Sequence, residues 1–448
     1  MRVSILLSIP AQESLVESAS ASIENRASKA TLSDVQTPSD FNLDISQPPV
    51  AVGSLLDGYL ELDSLRADKS DKFIVQGDVE VDSIEDIPEK IDGNDVFSNI
   101  RVSPFSYCGS SAQGTANDVA TQLRLNQLHA KGLDGSNVAV AIVDTGINLL
   151  HLNKKMGQMP RFDAANSWKF QGQTASPGQY PVDHGTMCAF DALIAAPKAT
   201  LVDYPVLSTS TLGGNVTGRT INAAMMAYAH LTANYAAAYA PGGIHKYNGL
   251  VVNNSWGVYH PSWDFPKTHP GRFIDNPNHP FASYVKILTN AGADVLFAAG
   301  NCGSNCSDPR CKGRTKETIM GASAYSDVMT VAGCLVTNND RLGYSSQGPS
   351  IKGMHQSKPD ITAFSHFLGS GTDGSTVPDS GTSAACPVAA GCVAAIRTKE
   401  APSATPPVNL IQQFQLTAQP VVGEPSGWGP DYGYGIIDPL STANSLGL

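Results

Sequence analysis

The segment VAVAIVDTG occupies residues 138–146 and decides the class of fold that this 448-residue chain can adopt. Its first six residues alternate small and β-branched apolar side chains without a charge, which is typical of a strand buried on both faces of a parallel sheet. Asp144 follows this strand directly. Open α/β sheets place their functional sites at the carboxyl ends of such strands. The segment therefore predicts an α/β protein with a carboxylate at that edge of the sheet.

Two further motifs supply an imidazole and a hydroxyl. The motif HGT at residues 184–186 opens a run of small and apolar residues, which predicts a closely packed helix. The motif GTS at residues 381–383 opens a second such run, so that Ser383 is expected at the positive end of a helix dipole. A serine hydroxyl is a weak nucleophile unless an imidazole takes its proton and a carboxylate orients that imidazole. Asp144, His184 and Ser383 are therefore candidate catalytic residues.

The chain order Asp, His, Ser resembles that of the subtilisin-like serine proteases, the subtilases of peptidase family S8. Another apolar run ends in Asn301, which matches the family's asparagine. The resemblance covers roughly residues 118–445. Its shorter motifs are Ser255-Trp256-Gly257, Ser345-Ser346-Gln347-Gly348, Lys358-Pro359-Asp360-Ile361 and Gly433-Tyr434-Gly435. It implies an α/β, subtilisin-like three-layer fold with a mostly parallel sheet.

The same resemblance implies a serine endopeptidase that hydrolyses peptide bonds through an acyl-enzyme intermediate. Ser383 is the implied nucleophile, His184 the general base and Asp144 the residue that orients it. Asn301 is the implied oxyanion-hole donor. The substrate-binding residues that the resemblance implies are Ser255, Trp256, Gly257, Ala299 and Gly300.

The same residues are compatible with other functional classes to different degrees. The motif DTG also occurs in aspartic proteases, but these need two such carboxylates and the chain has one copy of the motif. A transpeptidase or macrocyclase would use the same three residues and differ in the nucleophile that resolves the acyl-enzyme. A catalytically silent peptide-binding protein would normally have lost a catalytic residue, and none is lost. Residues 384–386, AAC where the family frequently has MAS, leave the shape of the pocket open.

The charge of the chain is divided unevenly. The net charge is −11, yet residues 1–100 hold 7 basic and 19 acidic residues, so that residues 101–448 are nearly neutral. This asymmetry predicts a separate module in front of a catalytic domain at residues 108–448. Residues 1–47 lack periodicity and predict a disordered or leader segment. Residues 48–107 show a strand, helix, strand order, which predicts a small α+β module like a pro-domain, bound to the chain's own catalytic domain or merely packed on it.

Partners and cofactors follow from composition and from the resemblance. The expected partner is a protein or peptide substrate. No basic patch indicates nucleic acid, and no apolar run approaches the roughly 20 residues that a membrane span needs. The chemistry requires no cofactor and no metal; calcium is compatible with the family, but no acidic cluster in residues 101–448 supports it. The first residues are a weak match to a signal peptide, so that the resemblance slightly favours secretion and a cytoplasmic location stays open.

Eight cysteines leave the compartment undecided. Cys188, Cys386 and Cys392 lie in the small-residue helices and are predicted as buried thiols that fill tight packing. The cluster Cys302, Cys306 and Cys311 follows Asn301 and favours a disulfide that ties a loop, with free thiols and a zinc site as alternatives. The spacing lacks a clear fourth zinc ligand, and the pairing stays open.

Overall fold

The computed structural model describes residues 1–24, 28–52, 71–104, 110–170, 173–208, 210–212, 215–217, 220–236 and 246–448. Within these ranges a mostly parallel sheet with helices packed against it forms the larger part of the chain, and an antiparallel sheet precedes it. The predicted α/β class with a small α+β module in front is confirmed.

The central sheet has seven strands in the described part of the chain, and neighbouring strands in it run parallel. Val138–Val143 is fully buried and lies in the interior of the sheet, as its uncharged sequence predicts. Because the strands are parallel, the residues that follow them collect at one edge. The order across the sheet is Ile361–Ser365, Met329–Leu335, Asp294–Ala298, Gly249–Asn254, Val138–Val143, Thr200–Tyr204 and Arg161–Phe162.

Two helices carry the residues that the sequence singles out. His184–Ala195 and Thr382–Arg397 pack directly on each other, and their buried faces consist largely of alanine, cysteine and valine. A Cβ atom at Gly391 would lie 2.2 Å from the Ala192 carbonyl oxygen, so that only glycine permits this approach. The other described α-helices are Glu13–Ile23, Ala116–Gln122, Leu125–Ala130, Leu149–Met156, Ile221–Leu231, Pro280–Asn290, Pro407–Thr417 and Pro439–Ser445. None of the described helices is both long enough and apolar enough to cross a membrane.

The expectation that residues 1–47 are disordered is wrong, and the alternative that they are a leader stays a prediction. Arg2–Pro10 is the central strand of the antiparallel sheet and pairs along its whole length with Lys72–Glu80. Its short apolar run supplies four buried side chains, Ile5, Leu6, Leu7 and Ile9. The remaining strands of this sheet are Asn42–Leu43, Val50–Val52, Lys90–Ile91 and Asn94–Ser98.

The predicted boundary at residue 48 is wrong for the same reason, because the module begins at Arg2. Its predicted strands are present at Lys72–Glu80 and Asn94–Ser98. The predicted helix between them is a single turn at Ile84–Asp86, and Ser83 caps its N-terminus in a capping box. Residues 53–70 and 105–109, which belong to the same prediction or border on it, lie outside the described residues.

The N-terminal sheet and the central sheet share one hydrophobic core. The Ser98 backbone N–H donates to the Gly271 carbonyl at 2.8 Å, and the Ile221 N–H donates to the Ile100 carbonyl at 3.0 Å. The Tyr284 hydroxyl donates to the Ala51 carbonyl. The N-terminal sheet is thus held against the helices Ile221–Leu231 and Pro280–Asn290 by polar as well as apolar contacts.

The substitution Gly271→Ala tests this contact. A Cβ atom there would lie 1.8 Å from the Val96 carbonyl oxygen, which belongs to the backbone and cannot turn aside. We expect a melting temperature several degrees lower, about 1–3 kcal/mol of overpacking cost, with the hydrogen exchange of Asn94–Ser98 accelerated first. Gly429→Ala is the control, because its Cβ would approach its nearest neighbours, a Glu424 oxygen and the Pro425 ring, only to 3.3 Å. Equal melting temperatures for the two variants would contradict the contact.

Candidate active site

Asp144 and His184 meet at the carboxyl edge of the central sheet. Asp144 is fully buried, and its Oδ1 accepts hydrogen bonds from His184 Nδ1 at 2.8 Å and from the Thr145 N–H at 2.7 Å. His184 begins its helix, and 12% of its side chain is exposed. Its Nε2 has no hydrogen-bond partner among the described residues. The ring is therefore oriented by a carboxylate on one side and keeps its other nitrogen for a proton transfer.

The small residues of both motifs make this approach possible. A Cβ atom at Gly185 would lie 2.6 Å from the Gly146 carbonyl oxygen. Gly146 itself has a φ of 104°, and a Cβ atom there would meet the Tyr180 ring at 2.3 Å. The Gly185 N–H donates to Thr145 Oγ1 at 2.8 Å, and the Asn148 N–H donates to Thr186 Oγ1 at 3.0 Å. Glycines and threonines thus join the strand end to the helix start.

Asp203 supports the turn after Asp144 and was not singled out from the sequence. Its Oδ2 accepts the N–H groups of Ile147 at 3.1 Å and Gly178 at 2.8 Å. Burial raises the pKa of Asp203 to about 7, and the charge of Asp144 adds to the increase. The signal that could have revealed it is a carboxylate inside the otherwise apolar strand Thr200–Tyr204.

The electrostatics of His184 follow from its neighbours. Burial by itself would lower the pKa of the ring, but the charge and the hydrogen bond of Asp144 raise it above its ordinary value of 6.5. The carboxylates of Asp183 and Asp373 add smaller contributions in the same direction. The site therefore stabilises the protonated ring, which is the form that a general base becomes when it accepts a proton.

Ser383 lies in the first turn of its helix, against the strand that ends at Asn254. Its Oγ donates to the Ser255 carbonyl at 3.0 Å, and Ser255 Oγ donates to the Ser383 carbonyl at 3.1 Å. Cys188 lies between the groups, with its Sγ 3.8 Å from His184 Nδ1 and 3.6 Å from the Ser383 carbonyl. The structure thus brings Asp144, His184 and Ser383 into one cluster.

Asn301 is fully buried beside the serine helix. Its Oδ1 accepts hydrogen bonds from the Thr382 N–H at 2.9 Å and from Thr382 Oγ1 at 3.0 Å. Since both bonds occupy the oxygen, the donor end of the amide, Nδ2, faces away from Thr382. The structure thus places Asn301 next to the N-terminus of the serine helix, and its role as an oxyanion donor stays a prediction.

The predicted substrate-binding residues lie along the same edge. Ser255 contacts Ser383, as described, and the backbone of Trp256-Gly257 pairs antiparallel with the chain's own Ser103-Pro104. The Trp256 indole, in contrast, is 1% exposed and packs on Phe281 and Phe297 in the core. Only the backbone of Trp256 is therefore available to an extended peptide.

Ala299 and Gly300 follow the strand Asp294–Ala298. The Ala299 N–H donates to the Val331 carbonyl at 2.9 Å, and the Gly300 N–H donates to Thr382 Oγ1 at 3.0 Å. These bonds hold the segment rigidly beside the serine helix. That Ala299 and Gly300 line a specificity pocket stays a prediction.

The cysteine cluster contains a disulfide between Cys302 and Cys311, with a Cα–Cα distance of 5.7 Å, and Cys306 is also disulfide-bonded. The zinc alternative for this cluster is therefore wrong, since oxidised sulfur does not bind zinc. The thiols that are free and buried in the described part of the chain are Cys188, Cys334, Cys386 and Cys392.

One group of three potential metal ligands occurs in the described ranges, and it consists of Asp144, His184 and Cys188. Calcium prefers six to eight oxygen ligands, so a thiol and an imidazole do not suit it. The described side chains therefore offer no carboxylate cluster for calcium, and no step of the chemistry is assigned to it.

A carboxylate, an imidazole and a serine hydroxyl at the carboxyl edge of a parallel sheet are the arrangement of a serine hydrolase on an α/β scaffold. Comparison with known families gives the particular group. Residues 135–435 match the Peptidase_S8 model, described as the subtilase family, and the chain belongs to that family of serine endopeptidases.

Individual relatives are distant. The chain is 28% identical over 282 residues to subtilisin DY of Bacillus licheniformis, which is 62% of this chain and 82% of that protein. It is 27% identical over 337 residues to a calcium-dependent protease of Trichormus variabilis, covering 68% of this chain and 46% of the relative. The solved structure of fervidolysin from Fervidobacterium pennivorans, a keratinolytic enzyme related to subtilisin, aligns over 99% of this chain and 61% of that one, with a TM-score of 0.56 and 16% identity. The last likeness shows the fold alone.

The substitution Asp144→Asn tests the electrostatic arrangement. As the predicted general base His184 must be neutral, so the wild-type rate of peptide hydrolysis should fall as the pH drops through the raised pKa of the ring, with a midpoint above 6.5. Without the carboxylate this midpoint should move to lower pH, and the maximal rate should fall about 10⁴-fold, because the amide favours the wrong tautomer.

Asp183→Asn is the matched control in the pH–rate measurement. This exposed carboxylate accepts the His184 backbone N–H at 2.7 Å but makes no bond to the ring, so that a smaller shift of the midpoint is expected. An unchanged acid limb in Asp144→Asn would contradict the assignment.

Proposed function

We propose that this protein is a serine endopeptidase whose catalytic triad is Asp144, His184 and Ser383. The observation that carries the proposal is the 2.8 Å bond between buried Asp144 and His184 Nδ1, with Ser383 in the same cluster. Membership of the subtilase family supports it.

The reaction begins when Ser383 Oγ turns from the Ser255 carbonyl toward His184 Nε2. Nε2 takes the hydroxyl proton while Oγ attacks the carbonyl carbon of the scissile peptide bond. Protonated His184, stabilised by Asp144, then gives the proton to the leaving amine, and the acyl-enzyme forms. Water, activated by the same nitrogen, hydrolyses the ester and restores the serine.

The negative charge on the tetrahedral intermediate needs donors that are already in place. Asn301 Nδ2 and the Ser383 backbone N–H are the proposed pair. The two bonds from Thr382 to Asn301 Oδ1 support this, because they fix the amide before the substrate arrives. Loss of such a side-chain donor costs about 10²–10³ in rate in a subtilisin, a relative of this protein.

An extended peptide substrate would add a strand to the backbone of Trp256-Gly257, with Ala299 and Gly300 beside its first side-chain pocket. The antiparallel pairing of Ser103-Pro104 with these two residues supports this mode of binding. Main-chain hydrogen bonds of this kind supply affinity without requiring a particular side chain.

The same pairing supports a self-inhibitory role for the N-terminal module. A substrate and Ser103-Pro104 would compete for one sheet edge, next to Ser255 and therefore next to the nucleophile. On the other side of residues 105–109, Ser110 Oγ is hydrogen-bonded to His366 Nε2 at 2.8 Å, and the Gln113 N–H donates to the His366 carbonyl at 2.8 Å. The residues on both sides of that segment are thus held in place, and cleavage within the segment would allow Ser103-Pro104 to leave the edge formed by Trp256-Gly257.

Processing of the full-length chain tests this role. The wild type should be cut between Pro104 and Ser110, and the mature N-terminus is found by mass spectrometry of the purified protein. Ser383→Ala should stay uncut, and wild-type protease added in trace amounts should cleave it in the same interval. A fully active protein that still begins at Met1 would contradict the pro-segment role and leave the peptidase proposal standing.

A transpeptidase or macrocyclase would share every residue of this site, and a silent peptide-binding protein would share the groove. The mass of the products decides among the three. Incubation of the processed protein with a peptide library should give products whose summed mass exceeds that of the substrate by one water. Cyclic or ligated products without that gain would favour transpeptidation.

Ser383→Ala in the same assay should lose at least about 10³-fold of the hydrolysis. Ser326→Ala, which changes an exposed serine outside the candidate active site, should retain the wild-type rate of hydrolysis. Equal hydrolysis by the wild type and Ser383→Ala would overturn the proposed nucleophile.

We propose that this protein is secreted. The Cys302–Cys311 disulfide supports it, because such bonds persist in oxidising compartments. Calcium enters the proposal at no step, although two relatives are named calcium-dependent proteases.

A further inference from the structure

A second buried carboxyl group lies on the histidine helix, outside the chemistry described so far. Asp191 follows His184 by two helical turns, is fully buried and points toward the loop that precedes Ser383. No N–H or hydroxyl donor among the described residues reaches either of its oxygens. An ionised carboxylate without donors is unstable in such a place.

Its neighbour is Asp379, four residues before the nucleophile and 2% exposed. Asp379 Oδ1 accepts a hydrogen bond from Ser370 Oγ at 2.5 Å, and its Oδ2 accepts one from the Ser370 N–H. A Cβ atom at Gly369 would lie 2.2 Å from Asp379 Oδ2, so that only glycine fits beside this carboxylate. Asp379 thus accepts two hydrogen bonds from Ser370, which favour its ionised form.

The carboxyl groups of Asp191 and Asp379 are within hydrogen-bonding reach of each other. Two carboxyl groups form a hydrogen bond only when one of them keeps a proton. Burial, reinforced by the charge of Asp379, raises the pKa of Asp191 well above its ordinary range. Asp191 therefore keeps its proton and donates a hydrogen bond to Asp379.

Other charged or titratable groups lie on the histidine helix and on the three helices packed against it. Burial raises the pKa of Asp379, and the charge of Lys155, on the helix Leu149–Met156, opposes part of this increase. His151, on the same helix, is hydrogen-bonded through Nε2 to the Ser370 carbonyl at 2.9 Å. Cys188 lies on the histidine helix itself, Cys386 and Cys392 lie on the serine helix, and Asp118, on Ala116–Gln122, is bound to Thr115 at its own helix cap.

Asp379 is rigidly connected to the nucleophile. Its N–H donates to the Phe367 carbonyl at 2.9 Å and its carbonyl accepts from the His366 N–H at 2.8 Å. Two residues later the Gly381 N–H donates to the Tyr344 hydroxyl at 3.0 Å. A bond from Asp191 to Asp379 therefore joins the element that carries His184 to the segment that carries Ser383.

We propose that Asp191 and Asp379 share one proton and that this pair positions the catalytic histidine helix against the segment that leads to Ser383, so that loss of the proton as the pH rises separates them. The effect of the pair on catalysis rests on the proposed function, whereas its effect on the stability of the fold does not. Both residues are positioning residues, since neither touches the substrate or the reacting atoms.

The pH dependence has a definite sign. In the unfolded chain Asp191 loses its proton near pH 4, whereas in the folded chain it keeps the proton to a much higher pH. The stabilisation from the pair is complete below about pH 4. The stability of the fold then declines as the pH rises toward the folded pKa, above which two buried carboxylates repel each other.

The first experiment measures melting temperature from pH 5 to pH 10 on the full-length chain with Ser383→Ala, which prevents self-cleavage and makes the result independent of peptidase activity. Asp191→Asn retains a donor toward Asp379 but cannot lose a proton. It should remove most of the decline in melting temperature that the parent chain shows as the pH rises over this range. Asp191→Ala, which leaves Asp379 without that donor, should melt lower at every pH, and the exposed Asp340→Asn should behave like the parent chain.

The second experiment compares peptide hydrolysis by the same variants with an active serine. Asp191→Ala should lower kcat about tenfold with little change in KM, and Asp191→Asn should restore kcat and extend activity to higher pH. The infrared band of a protonated carboxyl group should be present at pH 7 in the parent chain and absent in Asp191→Asn.

An alkaline decline in Asp191→Asn equal to that of the parent, or the absence of that infrared band, would overturn the pair. If the stability results hold and no variant hydrolyses peptides, the proposed function fails and the pair stands.

Discussion

The close approach of the turn at Gly146 to the helix that starts at His184 is the constraint on which the rest of the site depends. A Cβ atom at Gly185 would lie 2.6 Å from the Gly146 carbonyl oxygen, so that one added carbon would push the strand end and the helix start apart. With glycine there, Asp144 Oδ1 reaches His184 Nδ1 at 2.8 Å inside the protein, where water does not weaken the bond. The orientation and the charge preference of the imidazole both follow from that distance.

Ser383 is held in place by its neighbour Thr382. Thr382 binds Asn301 Oδ1 through its N–H and its hydroxyl, and it accepts the Gly300 N–H on the same hydroxyl. One side chain thus joins the serine helix to the end of the strand Asp294–Ala298. Because both links lie at the carboxyl ends of parallel strands that only Gly249–Asn254 separates, the sheet itself sets the spacing between His184, Ser383 and Asn301. The Asp191–Asp379 pair would add a third link, farther from the reacting atoms.

The residues of the site were predictable because each one stands beside an element whose pattern is strong. Val138–Val143 is uncharged throughout, and Ser383 opens a run of small residues that can form little else than a buried helix. Arg2–Pro10 was not predictable in the same way. Its apolar run is as short as that of a leader, and it becomes a strand through pairing with Lys72–Glu80, about 70 residues away. Asp191 and Asp379 are farther apart still, and only a carboxylate within an apolar helix marked the first of them.

The central claim is that Ser383 is a nucleophile which His184 activates. The most direct measurement is to treat the processed protein with a fluorophosphonate and to locate the adduct by mass spectrometry of its fragments. The account predicts a single adduct on Ser383, formed rapidly in the wild type and lost in both Ser383→Ala and His184→Ala. An adduct on another residue, or labelling of Ser383 at the same rate without His184, would contradict it.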